Sequence, residues 1–542
     1  MSKLTEQSLD FAKAHIDAFW DSDFFPKPDV YEALWARWTD VRQYLRTKNL
    51  EHFARPSTRV MPAPKANGGF RIVHQLDPLS AIAYTAIAHE IARAVESARV
   101  PITERVVFSY RLDPDTDSFF TKGSGYPDFV DCCRELAEQY KHVLVCDLAD
   151  FYNRVYIHRV RNNIEGCGLK DIAKSLETFL LNLNMKASQG IPVGPAASIV
   201  VAEAALVDVD QFLRDRDMRY VRYVDDIRIF ADEPGALHRL LEDLVSYLYE
   251  PHRLQLAWSK THVVEASDFI ARYLDPPHKV ERRELLGVAR EVTEYGHTYT
   301  DNDADALVNQ FIAADKDIPI VAAPKALKEL KDILAYWLSS EEQERREVRR
   351  TALAKILKLA TSSRPIDLGL ARYVLKKGRA LGVPDLFEVV LETFEALAPA
   401  APDLFLYLQK VGTAELVTKS ISALKELRNT SVVQRSRFLR HWLQWYYASN
   451  ETLLGDRVIR RYLTDTSPIE LQARAAFTTK NVAWVRARKG ELAQMGSWDR
   501  WATILAARIM SKDERRAWLQ SVVGGDSDAI DRIVVEWVVG LP

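Results

Sequence analysis

Apolar positions recur at helical spacing from the start of the chain. Phe11, Ile16, Phe19 and Trp20, then Leu34, Trp35, Trp38, Val41 and Leu45, predict helices across residues 5 to 50, because one face of a helix returns every three to four residues. Phe24-Phe25-Pro26-Lys27-Pro28 breaks them, since proline lacks the donor a helix needs. From Arg59 to Leu76 the period changes, and two short extended runs flank Asn67-Gly68, a strong hairpin signal. An Ala/Ile-rich helix is predicted over 79–98, followed by a strand or extended link at Val106 to Arg111. His142-Val-Leu-Val-Cys146 reads as a buried strand ending on Asp147, and residues 158 to 184 read as helical. Ile199 to Leu213 predicts a helix, Arg222 to Phe230 two strands around an acidic pair, and Ala236 to Tyr249 an amphipathic helix. Leu254 to Val264 alternates as a strand does.

From about 300 onward the pattern is helical with polar or proline breaks: Ala326 to Ser339, Ala352 to Thr361, Leu368 to Leu381, Asp385 to Leu397, Asp403 to Val411, Leu416 to Leu427 and Val433 to Ala448. Helix pairs at an irregular spacing of about 40 residues predict a HEAT-like stack, each pair burying its apolar face on the next. Phe438, Trp442, Trp445 and Tyr446 are expected in the core or an interface rather than as a base-stacking platform.

Length changes the picture first: 542 residues exceed what one core serves and predict two to four units. The 47% hydrophobic and 27% charged content is that of a soluble globular protein. Four cysteines without metal-ligand spacing imply a reducing, cytoplasmic setting. No secretory pattern opens the chain, and nowhere do about 18 uncharged apolar residues run together, so no membrane partner is expected. A net charge of −2 is unpromising for gripping a polyanion. Between Arg42 and Leu76, however, seven basic residues face the single acid Glu51, a local balance of +6.

The chemistry centres on Tyr223-Val224-Asp225-Asp226. Two adjacent carboxylates at the tip of an apolar hairpin repel each other and lose hydration, which favours a bound cation; the plain alternative is an Asp-Asp turn. Asp147, ending a buried strand, is either a third carboxylate or a helix cap. Phe151-Tyr152 follows as a bulky pair where a nucleotide sugar could rest. Lys65 and Arg71 are expected to project from neighbouring strands near a turn, a geometry that suits a triphosphate; the plain alternative is two solvated hairpin cations. Ser188-Gln189-Gly190-Ile191-Pro192-Val193-Gly194-Pro195 is a stiff turn opening a helix, able to face a phosphate or admit a base. Lys260 is a strand-end cation that either meets phosphates or has no role.

Asp147 with Phe151-Tyr152, the Gln189-Gly190-Ile191-Pro192 turn with Ser198, the Tyr223-Val-Asp-Asp226 hairpin and Lys260-Thr261 resemble, in this order, the palm motifs of reverse transcriptases. Lys65 and Arg71 fit that family's fingers strands. The resemblance covers roughly residues 55 to 290. It implies an α+β right-hand polymerase with an N-terminal helical extension at 1–55, fingers at 56–140 and a palm, with interleaved fingers segments, at 141–295. An all-α, HEAT-like helical-repeat domain at 296–542 would stand in place of a conventional thumb. It also implies that Asp147, Asp225 and Asp226 hold two Mg²⁺ ions, with Mn²⁺ as substitute. Lys65 and Arg71 would hold the triphosphate, Tyr152 would exclude a 2′-hydroxyl, Gln189 and Gly190 would line the nucleotide pocket, and Lys260 would donate a proton to pyrophosphate.

A polymerase followed by a helical half resembles the bacterial defence-associated, abortive-infection (Abi-type, "unknown group") reverse transcriptases. That resemblance implies dNTPs, RNA and/or DNA as partners and a homo-oligomer; some members of the group prime on a protein side chain without a template, which leaves a covalent protein–DNA adduct. Two alternatives stay open: an RNA-templated enzyme of retron or group II intron type, and a non-catalytic nucleic-acid-binding scaffold. No His/Asn or Cys cluster of a maturase nuclease and no spaced RNase H acids are visible, and Asp268-Phe-Ile-Ala is a poor match to a primer grip.

Overall fold

In a computed structural model of the chain, residues 3–19, 24–54, 58–66, 68–115, 118–120, 125–275, 342–362, 366–520 and 528–542 are described. The expected helix Ala326 to Ser339 lies outside them. Two compact units emerge, one of Met1–Met61, Ile72–Leu274 and Lys480–Pro542, the other of Pro62–Arg71 and Asp275–Thr479.

The first unit opens with helices α1 (Glu6–Phe19), α2 (Val30–Ala36) and α3 (Trp38–Thr47). A hairpin of β1 (Arg59–Pro64) and β2 (Phe70–Gln75) follows, its tip counted with the second unit. Next come α4 (Pro78–Ala98), α5 (Tyr126–Gln139), β3 (His142–Asp147), α6 (Phe151–Arg154), α7 (Ile157–Gly166) and α8 (Lys170–Leu183). Then follow α9 (Ala197–Arg214), β4 (Arg219–Tyr223), β5 (Asp226–Ala231), α10 (Pro234–Tyr249), β6 (His262–Glu265) and α11 (Ala266–Phe269).

Four strands form one sheet in the order β4-β5-β3-β6, each pair antiparallel. Phe129, Cys132, Cys133 and Leu136 of α5 pack with Val143, Val145, Val221 and Phe230. Leu144 and Cys146, equally buried, alternate to the other face. That two-sided burial explains why β3 reads as an unbroken apolar run. Helix α4 starts sharply because Asp77 accepts the Leu79 N–H at 3.0 Å and Pro78 occupies the first turn.

The segment expected as one helical block, 296–542, is shared between the units. Lys480–Pro542 belongs with the first, where Arg508 pairs with Glu32 at 2.8 Å, Glu536 with Arg37 at 3.0 Å, and Ser497 Oγ meets Asp77 Oδ2 at 2.8 Å. The basic stretch is also less free than its sequence suggests. Arg42 is paired with Asp10 at 2.7 Å and Arg46 with Glu6, both acids of α1.

Among its described residues the second unit is helical outside the hairpin tip, from Glu342–Ser362 through Ile469–Thr478. Leu368–Leu381 forms as expected, while the predicted Val433 to Ala448 helix is cut at Ser436, whose hydroxyl accepts the Leu439 N–H at 3.2 Å and starts a new helix. Phe438, Trp442, Trp445 and Tyr446 are buried core. Among the described residues no helix is long and apolar enough to cross a membrane.

Candidate active site

Val224 and Asp225 alone connect β4 to β5, a two-residue hairpin loop. Val224 takes φ +53°, a left-handed conformation that a branched side chain adopts only at a cost of order 1–3 kcal/mol. The loop aims Asp225 and Asp226 at the end of β3, where Asp147 lies directly opposite Asp226 in register. Backbone bonds lock this meeting point: Leu148 N–H donates to the Asp225 carbonyl at 3.2 Å, and Ala257 N–H to the Asp147 carbonyl at 2.7 Å.

Each acid has its own electrostatic surroundings. Asp147, 15% exposed, accepts from Lys260 Nζ at 2.9 Å, while Asp226 accepts from Arg228 at 3.2 Å. Burial, reinforced by the Asp226 and Asp147 charges, pushes the Asp225 carboxyl up to about 6, against the pull of its own backbone N–H and of Lys260. Among the described residues no group of three or more His, Cys, Asp and Glu side chains stands close enough to hold a metal ion as placed. The donor set nevertheless fits a hard divalent cation: all are carboxylate oxygens, and Asp225 carries a charge penalty that such an ion would remove. Lys260 and Arg228 occupy two of the three acids and would have to give way.

Residues 64–290 match the family model described as Reverse transcriptase (RNA-dependent DNA polymerase). The chain contains a reverse transcriptase domain. No curated protein sequence matches the chain. Solved structures similar to it include a telomerase from Candida albicans in complex with a TWJ fragment of telomeric RNA, with 11% identity, a TM-score of 0.30, and coverage of 65% of this chain and 71% of that one. An apo telomerase from Candida tropicalis has the same identity and TM-score, 11% and 0.30, over 76% of this chain and 73% of that one.

Within the reverse transcriptase domain, Tyr152 follows β3 on the short helix α6. Burial pushes its hydroxyl pKa up, and the Glu203 and Asp225 carboxylates add to the effect. Its carbonyl accepts the Ile191 N–H at 2.8 Å, which ties it to the turn carrying Gln189 and Gly190. Asn184 Nδ2 donates to the carbonyls of Gln189 at 3.2 Å and Gly190 at 2.6 Å. Gly190 has φ +97°, and a Cβ there would meet the Asn153 carbonyl at 3.3 Å, so the residue is needed for both conformation and close approach. Lys65 and Arg71 lie at the hairpin tip, where Lys65 N–H donates to the Gly69 carbonyl at 2.7 Å.

Lys260 sits in a single 3₁₀ turn, Trp258–Lys260, rather than on the expected strand; β-pairing begins only at His262. The Ala257 N–H bond to Asp147 pulls this segment onto the strand end and interrupts the alternation.

Two features escaped sequence reasoning. His74 of β2 exchanges bonds with Val193: its N–H donates to the Val193 carbonyl at 2.8 Å, and its Nδ1 accepts the Val193 N–H at 3.0 Å. Burial lowers the His74 pKa to about 4, keeping it neutral for that role. The second is Arg222, fully buried beneath the acid hairpin with Glu203 and Asp210 of α9. Its signals were present: two acids seven residues apart, two turns along one face of an apolar helix, and an arginine in an apolar strand.

Proposed function

We propose that the protein is a DNA polymerase of reverse-transcriptase type that adds nucleotides from dNTPs, with Asp147, Asp225 and Asp226 holding two Mg²⁺ ions for which Mn²⁺ can substitute. One observation carries the reading: Asp147 of β3 stands opposite Asp226 of β5 in register, and Asp225, just before it on the hairpin, is pushed up to about 6 by burial and by those two charges. When bound, the ions supply activation of a 3′-hydroxyl and stabilisation of leaving pyrophosphate. The remaining work falls to this chain's own side chains. Lys260, held on Asp147 Oδ2 at 2.9 Å, carries the Nζ proton available to a pyrophosphate oxygen. Tyr152 packs under the sugar and excludes a 2′-hydroxyl, Gln189 and Gly190 line the nucleotide pocket, and Lys65 and Arg71 hold the triphosphate.

In the fuller reading, 56–140 are fingers and 141–295 palm, and the helical C-terminal region stacks in HEAT-like pairs in place of a thumb. A polymerase continuing into such a region supports a role in bacterial anti-phage defence. The protein would work in the cytoplasm as a homo-oligomer on RNA and/or DNA, and a side-chain hydroxyl that primes synthesis would leave a covalent protein–DNA adduct. The family description, RNA-dependent DNA polymerase, favours a second reading in which a partner RNA is the template.

Incubating purified protein with each dNTP and Mg²⁺, with and without RNA, tests both. Incorporation lost in the Asp225→Ala, Asp226→Ala double variant is expected; no incorporation under any condition, or equal incorporation by the variant, overturns the proposal. Product that shifts with the protein on a denaturing gel until protease is added supports protein priming. Product complementary to a co-purified RNA supports the templated reading.

A further inference from the structure

The loop that presents Asp225 is held from below. Arg222 donates from Nε to Asp210 Oδ1 at 2.8 Å and from Nη2 to Asp210 Oδ2 at 2.6 Å and Glu203 Oε2 at 3.0 Å. Its remaining nitrogen, Nη1, donates to the Val224 carbonyl at 3.0 Å. Glu203 is in turn met by Arg99 at 3.0 Å and by Ser109 Oγ at 2.7 Å. Two guanidiniums and two carboxylates thus balance in a fully buried cluster. Such a cluster is a poor device for stability alone, because apolar side chains of like volume serve as well or better. What apolar side chains could not do is donate to a carbonyl. The carbonyl that Arg222 reaches belongs to Val224, the strained residue immediately before Asp225.

We propose that Arg222 is a positioning residue for the acid pair: the fork held by Glu203 and Asp210 pins the Val224 carbonyl, keeps that residue in its left-handed conformation, and so fixes the direction of the Asp225 carboxylate. The inference rests on the polymerase reading of the acids. Residues that orient metal-holding side chains typically alter metal affinity or activity about 10-fold to 100-fold.

The test uses Mn²⁺ binding to the full chain, read by electron paramagnetic resonance without dNTP, beside thermal unfolding and dNTP incorporation. Arg222→Lys keeps the charge but cannot reach two carboxylates and the carbonyl together. It should unfold cooperatively yet bind Mn²⁺ about 10-fold to 100-fold more weakly. Adding Val224→Gly should recover most of that loss, because glycine adopts the left-handed conformation unaided. Wild-type Mn²⁺ affinity in folded Arg222→Lys, or a loss that Val224→Gly does not rescue, overturns the proposal. If Arg222→Lys does not fold, Asp210→Asn, which loosens one side of the fork, is read by the same criteria. A wild-type protein that binds Mn²⁺ but incorporates no nucleotide refutes the polymerase reading and leaves the Arg222 measurement standing; one that binds no Mn²⁺ overturns both.

Discussion

Lys260 Nζ lies 2.9 Å from Asp147 Oδ2, although the lysine side chain is 65% exposed and the acid only 15%. The contact partly neutralises a cluster of three carboxylates and also draws Asp225 downward. An exposed ion pair contributes little to stability, so its expected effect is on chemistry. Lys260→Ala should slow single-turnover incorporation by about 100-fold, the lower range for a lost proton donor. It should also move the acid limb of the rate profile to higher pH, since Asp225 loses a favourable charge. An unchanged rate and an unchanged profile would reduce Lys260 to a surface cation.

Asp225 titrates the other way from most carboxylates. Its folded pKa of about 6 exceeds the ordinary 3.8, so between those values the folded chain holds a proton that the unfolded chain has released. Stability therefore falls as pH rises from about 4 to about 6 and stays reduced above that window. Asp225→Asn should raise stability by at most about 3 kcal/mol at pH 7 and by nothing near pH 3, as read by denaturant unfolding without metal. In the wild type, Mn²⁺ affinity should decline below about pH 6 as the proton competes. A stabilisation by Asp225→Asn that is equal at both pH values would contradict this account.

His74 supplies an opposite pH dependence. Its folded pKa of about 4 lies below the ordinary 6.5, so the unfolded chain binds the extra proton between those values. Stability from this site is complete above about pH 6.5 and is lost as pH falls toward 4. His74→Phe abolishes that dependence and leaves the half-buried Val193 N–H without its acceptor, at about 1 kcal/mol. The measurement is chemical unfolding across pH 4 to 8. Equal stabilities of variant and wild type throughout would show the His74–Val193 bond to be unimportant.

What could be read from the sequence was whatever depends on local pattern. The apolar run into Asp147, the acid hairpin and α10 all formed where periodicity placed them, because each is specified by its own residues and one buried face. Lys260 was misplaced onto a strand because a long-range bond, Ala257 N–H to the Asp147 carbonyl, overrides the local alternation. The Arg222 cluster was missed for a related reason: Arg99, the α9 acids Glu203 and Asp210, and Arg222 sit on three separate elements, and their pairing exists only once the fold joins them. Likewise the basic count between Arg42 and Leu76 overstated a free positive face, since α1 supplies acids to Arg42 and Arg46.

Tyr152 offers the sharpest test of which nucleotide the site accepts. The Asp225 carboxylate helps to raise its hydroxyl pKa, and its carbonyl accepts the Ile191 N–H beside the Gly190 turn. On the proposed reading the ring packs under the sugar, so a smaller side chain would open room for a ribose 2′-hydroxyl. Tyr152→Val should therefore lower the preference for dNTP over rNTP, expressed as the ratio of kcat/KM values, by about 100-fold. Truncating a mostly buried aromatic also costs stability, about 2–4 kcal/mol, so Tyr152→Phe is the necessary companion. It retains the ring, removes only the hydroxyl, and should keep the dNTP preference of the wild type. A Tyr152→Val protein that folds, polymerises and discriminates as the wild type does would place the sugar elsewhere.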